Sequence, residues 1–302
     1  MSTITTGGRT ATVTALERTT APTPSVPPSG GASPAITVAG ATKSFGRGAG
    51  AVRALAGVDL TVDPGEFVSL VGASGCGKST LLRIVAGLDE PSRGCVRVGA
   101  PRRDGANAAP DGAMPARDRL TACAYMPQRD MLLPWRTVLD NAALPLEYQG
   151  LPRRAARHEA SRLLEQFGVG GFDHAWPAAL SGGMRQRVAL ARTALTGKRA
   201  LLLDEPFGAL DALTRLEMQS WLLQVWARLG VTVLLVTHDL DEALYLSDRV
   251  YVMDARPGRI VDEVAVALPR PRGEDIVATP EFAWLKGRLL AAIRGAGRGE
   301  ER

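Results

Sequence analysis

Nine residues, Gly72–Thr80 (GASGCGKST), limit the folds open to this chain more than any other stretch of it. They follow a short continuous apolar run, EFVSLVG (Glu66–Gly72), and open an amphipathic stretch, STLLRIVAGL. A strand must therefore turn through a glycine-rich loop directly into a helix. The spacing is G-x-x-x-x-G-K-[ST], with Gly72, Gly77, Lys78 and Ser79 at the fixed places. Glycines at those positions let the successive backbone N–H groups of Ala73, Ser74, Gly75, Cys76, Gly77 and onward to Thr80 wrap a phosphate without Cβ clashes. Lys78 would reach the β- and γ-phosphates of a nucleotide, and the Ser79 hydroxyl would ligate Mg²⁺. Of the 36 basic residues only Lys43, Lys78, Lys198 and Lys286 are lysines. A chain that prefers Arg has kept Lys where a compact ammonium is chemically required. Cys76, inside the loop, reads as a small filler.

The rest of the chain fits the α/β architecture that such a loop demands. ITVAGATKSF, from Ile36, and VDLTV alternate apolar and polar residues as half-buried antiparallel strands do. ALLLDE (Ala200–Glu205) and VTVLLVTHD (Val231–Asp239) are continuous apolar runs like EFVSLVG, suited to parallel strands covered on both faces. Helical stretches follow each, so the expected fold is a P-loop core with an N-terminal antiparallel β subdomain. RRAARHEASRLLEQFG (Arg153–Gly168) marks a helical insertion, placed at about residues 129–180. Residues 1–34 are Ser/Thr/Pro/Gly-rich and predict a disordered tail; 35–270 form the main domain; 271–302 predict a helical extension. Residues 99–119 read as a polar loop without an assigned role.

Composition narrows the setting. With 45% hydrophobic and 22% charged residues the chain has the balance of an ordinary globular protein. Its longest apolar runs are far short of the ~18 residues of a membrane span. The start of the sequence lacks the basic and apolar pattern of a secretory signal, and three widely spaced cysteines suggest neither disulfides nor zinc. A reducing cytoplasm is the expected compartment. A net charge of +5, with Arg interleaved among Asp and Glu, makes no stripe for nucleic acid.

Four further positions acquire meaning from the loop. Asp204 ends an apolar strand, placed to hold Mg²⁺, and Glu205 beside it would polarise an attacking water. His238 stands just past VTVLLV, where a strand end projects into the ligand crevice of an open sheet. There an imidazole can donate to a γ-phosphate oxygen. Gln128, in YMPQRD, stands where the sheet gives way to the helical insertion; its amide can contact Mg²⁺ or the attacking water, or move with the insertion. His158 and His174 lack such a context.

One stretch looks redundant: LSGGMRQRVALARTAL (Leu180–Leu195) presents a second set of bare N–H groups at a helix start. The ordered set of P-loop, Gln128, LSGGM, LLLDEP, GALD (Gly208–Asp211) and THD resembles the nucleotide-binding subunit of ATP-binding cassette transporters, from about Ile36 to Arg270. That resemblance implies a head-to-tail homodimer formed on ATP, each ATP held between one copy's P-loop and the other's Ser181, Gly182 and Gly183. It implies that Asp211 lines the dimer seam and that Phe45 stacks on adenine, with core packing as the competing role for Phe45. Met184, where Gln is commonest, removes no phosphate ligand.

LLPWRTVLDNAALPLE, LSGGMRQR and DARPGRIVDEV resemble the ATPases of the nitrate/sulfonate/taurine importer group, which includes transporters of a thiamine precursor. The group implies integral membrane permease subunits as partners, an extracytoplasmic substrate-binding protein as an indirect one, and a place on the cytoplasmic face of the cell membrane. Trp135 is either partner-facing or core. The alternative is a soluble cassette ATPase acting on nucleic acid or ribosomes, which one cassette without heptads or a basic–aromatic patch does not favour.

Overall fold

The computed structural model describes residues 35–46, 48–99, 113–208, 210–255 and 257–296. The proposed tail and most of the 99–119 loop lie outside them. Two sheets organise the rest. β1 (Ile36–Phe45), β2 (Val52–Val62) and β4 (Arg93–Val98) form an antiparallel sheet in the order β2-β1-β4. The second sheet has the order β5-β6-β7-β3-β8-β9, from β5 (Cys123–Met126), β6 (Ala200–Asp204), β7 (Thr232–Val236), β3 (Phe67–Gly72), β8 (Arg249–Asp254) and β9 (Arg259–Ala265). Its pairings are parallel except β8–β9.

Every residue of β3, β6 and β7 is buried, as the continuous apolar runs require. Alternate side chains divide between two cores. Phe67, Val71, Leu201, Leu203, Val233 and Leu235 face one side of the sheet. Val68, Leu70, Leu202, Leu234 and Val236 face the other, where they meet the antiparallel sheet and α1 (Lys78–Val85). On the first side lie α3 (Val138–Tyr148), α4 (Arg153–Gln166) and α5 (Gly182–Ala194), together with α6 (Ala212–Leu229), α7 (Leu240–Leu246) and α8 (Pro280–Ala296). α3, α4 and α5 pack on one another; α3 and α4 fall within the stretch expected as a helical insertion, and α5 begins just past it. A short helix, α2 (Ala116–Ala122), occupies the end of what the sequence suggested was all loop. It sits close against Gly87, where a Cβ would lie 2.3 Å from the Ala116 carbonyl oxygen. The buried Arg119 on α2 then donates to the Ile84 carbonyl at the end of α1 and pairs with Glu90 at 2.8 Å. Among the described residues, no helix is long and apolar enough to cross a membrane.

Candidate nucleotide site

The carboxyl ends of β5, β6, β7 and β3 lie side by side, so the segments that leave them share one edge of the sheet. That edge is where ligands sit in open α/β sheets. From β3 the chain enters the Gly72–Gly77 loop and reaches α1, which starts at Lys78, one residue before the serine that the sequence pattern suggested. Gly77 stands at φ 102°, left-handed, and a Cβ on it would fall 2.8 Å from the Leu55 side chain. The turn has no room for any other residue. Because Gly77 has no side chain, the first N–H groups of α1 have no side-chain cap and point at the loop's concavity.

Lys78 is 5% exposed. Its ammonium donates to the Gly72 carbonyl at 2.8 Å and the Ala73 carbonyl at 3.0 Å, closing the loop on itself. Cys76 is buried, and burial raises its thiol pKa against the opposing Lys78 charge. Ser79 donates from its hydroxyl to Asp204 at 2.9 Å, and Tyr125 donates to the other Asp204 oxygen at 3.1 Å. Burial raises the Asp204 pKa, opposed by those two hydrogen bonds; burial, and then the same carboxylate, raise the Tyr125 phenol. Tyr125 is a site neighbour that the sequence reading missed. Alternation along CAYM was its available signal, since it puts Tyr125 and the buried Met126 on opposite faces.

One carboxylate oxygen gathers the remaining predicted groups. Glu205 Oε2 lies 3.1 Å from Gln128 Nε2 and 3.3 Å from His238 Nδ1. Glu205 itself has φ 44°, a left-handed conformation rare outside glycine, and its N–H bonds to the Val236 carbonyl at 2.9 Å. Gln128, Glu205 and His238 thus leave β5, β6 and β7 and converge.

The other predicted residues lie apart from this cluster. Phe45 is 44% exposed at the end of β1, with the Lys43 ammonium 5.2 Å from its ring centre, so it does not fill the core. Thr80 lies within α1. Ser181 caps α5 by accepting from the Met184 N–H at 3.2 Å, which leaves the Gly182 and Gly183 N–H groups without an intrahelical partner. Ser181 and Gly182 are exposed, whereas Gly183 is buried where a Cβ would meet Thr214 at 2.7 Å. Asp211 caps α6 by accepting from the Thr214 N–H at 3.1 Å, and hydrogen bonding lowers its pKa. Trp135 is 71% exposed, which removes the core alternative. The buried Asn141 holds that segment with bonds to Leu133, Arg136 and Thr137.

Gly258 is a second residue missed. It pairs with β2 through Gly258 N–H to Ala54 and Ala56 N–H to Gly258, both 2.9 Å. A Cβ on it would lie 2.1 Å from the Cys76 carbonyl oxygen, so the turn between β8 and β9 buttresses the Gly72–Gly77 loop from behind.

A family model described as ABC transporter matches residues 55–208. The aliphatic sulfonates import ATP-binding protein SsuB 1 of Rhizobium johnstonii is 45% identical over 265 residues, 88% of each chain. The protein named SsuB in Cupriavidus pinatubonensis is 49% identical over 236 residues, 78% of this chain and 71% of its own. Among solved structures, a dimeric post-hydrolysis state of the ATP-binding cassette MJ0796, bound to ADP and Pi, is similar with a TM-score of 0.65. It is 30% identical over 79% of this chain and 99% of that one.

Proposed function

Because the chain belongs to the ABC transporter family, we propose that it is the ATP-hydrolysing subunit of a sulfonate-type importer, two copies clamping shared ATP and driving a membrane permease. The observation that carries the hydrolytic part is the Glu205 carboxylate, with Gln128 at 3.1 Å and His238 at 3.3 Å, at the sheet edge beside the phosphate loop. Glu205 would accept the proton of an attacking water, Gln128 would orient that water, and His238 would donate to the γ-phosphate. Lys78 would exchange its loop carbonyls for the β- and γ-phosphates, and the loop N–H groups from Ala73 to Thr80 would complete the cradle.

Ser79 and Asp204 supply adjacent hard oxygens, a donor set that suits Mg²⁺, which keeps waters and phosphate oxygens for its other positions. Gln128 would add its amide oxygen. When bound, Mg²⁺ would neutralise charge on the transferring phosphoryl group.

The second anion site follows from the same reading. α1 packs on β3, β4, β6 and β7, whereas α5 packs on α3, α4, α6 and β5. Ser181 and the Gly182 and Gly183 N–H groups would therefore serve ATP held by another copy, with Asp211 at the seam and Phe45 on the adenine. The γ-phosphate joins two surfaces and its removal separates them, a two-state device driven by differential affinity. The exposed Trp135 would face a permease subunit at the cytoplasmic face of the membrane. A substrate-binding protein outside would be reached only through that permease. The sulfonate cargo is taken from the relatives' names; cells lacking the chain should lose uptake of a labelled aliphatic sulfonate. Those relatives act in import, which leaves the nucleic-acid alternative without support.

The testing experiment is Glu205→Gln. It should bind ATP, hydrolyse it at least 100-fold more slowly, as loss of a general base allows, and accumulate as a dimer on size exclusion. A variant that stays monomeric with saturating ATP and Mg²⁺ would refute the clamp.

A further inference from the structure

Two polar side chains next to the Glu205–His238 pair, each with a buried atom that lacks a partner, have no part in the chemistry above. Glu242, in the first turn of α7, is 3% exposed, and its Oε1 has no hydrogen-bond partner among the described residues. Arg215, in the first turn of α6, likewise has a buried Nε without one. Its other nitrogens are engaged. Nη1 donates to Asp239 Oδ2 at 3.1 Å and Nη2 to the Leu210 carbonyl at 3.0 Å. One guanidinium therefore joins the segment that ends at Asp211 to the segment that contains His238.

The His238 turn is otherwise pinned at both ends. Thr237 N–H bonds to the Leu70 carbonyl on β3 at 3.2 Å, and Asp239 N–H bonds to Thr237 Oγ1 at 3.0 Å. Asp239 Oδ1 caps α7 through the Asp241 and Glu242 N–H groups, which leaves Oδ2 to Arg215. We propose that Arg215 and Glu242 are positioning residues for His238: Arg215 ties the seam segment to the His238 turn, and Glu242 decides which carboxylate Arg215 pairs with. This rests on the ATPase reading above.

The charges around Glu242 support the choice. Burial, and then the charge of Asp239, push its carboxyl up to about 8; Thr237 and Arg215 oppose, and Glu205 adds to the rise. These are the groups that face it from its own helix head, from α6 and from the end of β6. Lys286 on α8 pairs instead with Asp241 at 2.7 Å, and Arg272 spends its guanidinium on the Leu244, Tyr245 and Ser247 carbonyls at the far end of α7. The turn Glu274–Ala278 brings Glu274 and Asp275 to that helix, and β3 offers no ionisable side chain. While Glu242 keeps its proton, Arg215 belongs to Asp239. Once Glu242 ionises, a second carboxylate competes for a guanidinium that cannot lose its charge, and the His238 turn loosens.

The test is steady-state ATP hydrolysis by the full-length chain. Arg215→Met should lower kcat about tenfold or more while KM for ATP stays within about threefold, since ground-state phosphate contacts are untouched. Arg215→Lys should recover part of kcat by keeping the Asp239 pair. Glu242→Gln fixes the neutral form, so its kcat at pH 7 should lie within about twofold of wild type. From pH 7 to pH 9 the wild-type kcat should fall about tenfold relative to that of Glu242→Gln, following the loss of the protonated carboxyl. Matching pH profiles for the two proteins, or a raised KM with intact kcat in Arg215→Met, would overturn the proposal. Should Arg215→Met fail to melt cooperatively, the Glu242→Gln profile decides alone. A wild-type chain that hydrolyses no ATP would sink the ATPase reading instead.

Discussion

Gly258→Ala adds one methyl group to the turn behind the phosphate loop, and the surroundings fix its effect. Gly258 has no left-handed φ, so alanine meets no backbone penalty of its own. The added carbon would lie 2.1 Å from the Cys76 carbonyl oxygen, 2.8 Å from the Met253 methyl and 3.1 Å from the Ala54 carbonyl oxygen. The Met253 side chain can swing away. The two carbonyls cannot, because Ala54 is bonded to Gly258 itself and Cys76 lies inside the loop whose ends Lys78 ties together. Relief requires the phosphate loop to shift by about an ångström, and overpacking of this kind costs about 1–3 kcal/mol.

At about 2–4 °C per kcal/mol for a domain of this size, the midpoint should fall by about 2–12 °C in a thermal melt. ATP affinity by calorimetry should fall at least tenfold, about 1.4 kcal/mol, because the displaced carbonyl belongs to the loop proposed to cradle the phosphates. Gly287→Ala is the internal control. Gly287 lies within α8, and its added Cβ would have nothing within 4 Å. The same substitution there should stabilise by about 0.5–1 kcal/mol through helix propensity and leave ATP binding alone. Equal melting temperatures and equal ATP affinities for Gly258→Ala and wild type would refute the buttress.

Two other outcomes follow from the site. Lys78→Ala frees the Gly72 and Ala73 carbonyls and leaves phosphate charge uncompensated, so ATP affinity should drop by about ten- to a hundredfold; calorimetry showing no change would remove Lys78 from the cradle. Ser181→Arg places a bulky cation at the exposed end of α5, away from the chain's own loop; ATP binding by the monomer should persist while turnover vanishes, and surviving ATPase activity would exclude the trans site.

Where a residue's role follows from its neighbours in sequence, that role was legible before the fold. The strand–loop–helix run around Lys78 needs nothing from elsewhere, and the all-buried β3, β6 and β7 follow from their unbroken apolar runs. Asp204 and Glu205 became meaningful beside that loop, and the fold places Asp204 2.9 Å from Ser79 across 125 positions. What stayed hidden depends on long-range approach. Gly258 looks like any turn glycine until β2 comes within hydrogen-bonding distance. Tyr125 needs the β5–β6 pairing to reach Asp204. α2 is held by a buried arginine that sequence alone would place in solvent, since Arg is seldom buried without partners.

The strain at Glu205 shows why this one residue resists any local reading. A non-glycine residue held at positive φ costs about 1–3 kcal/mol and persists only where the surroundings over-determine it. Here Pro206 follows directly, which restricts Glu205 further, while the Val236 carbonyl holds its N–H and the Gly208 N–H holds its carbonyl at 3.2 Å. The backbone is therefore fixed from β7 on one side and from its own turn on the other. An extended continuation of β6 would carry Glu205 along the strand; the left-handed turn instead brings its carboxylate to Gln128 and His238. A relaxed residue would serve a purely structural turn better, and glycine would remove the cost altogether. That the chain bears the strain with an acidic side chain, at the point where three strand ends meet, is the physical case for chemistry there.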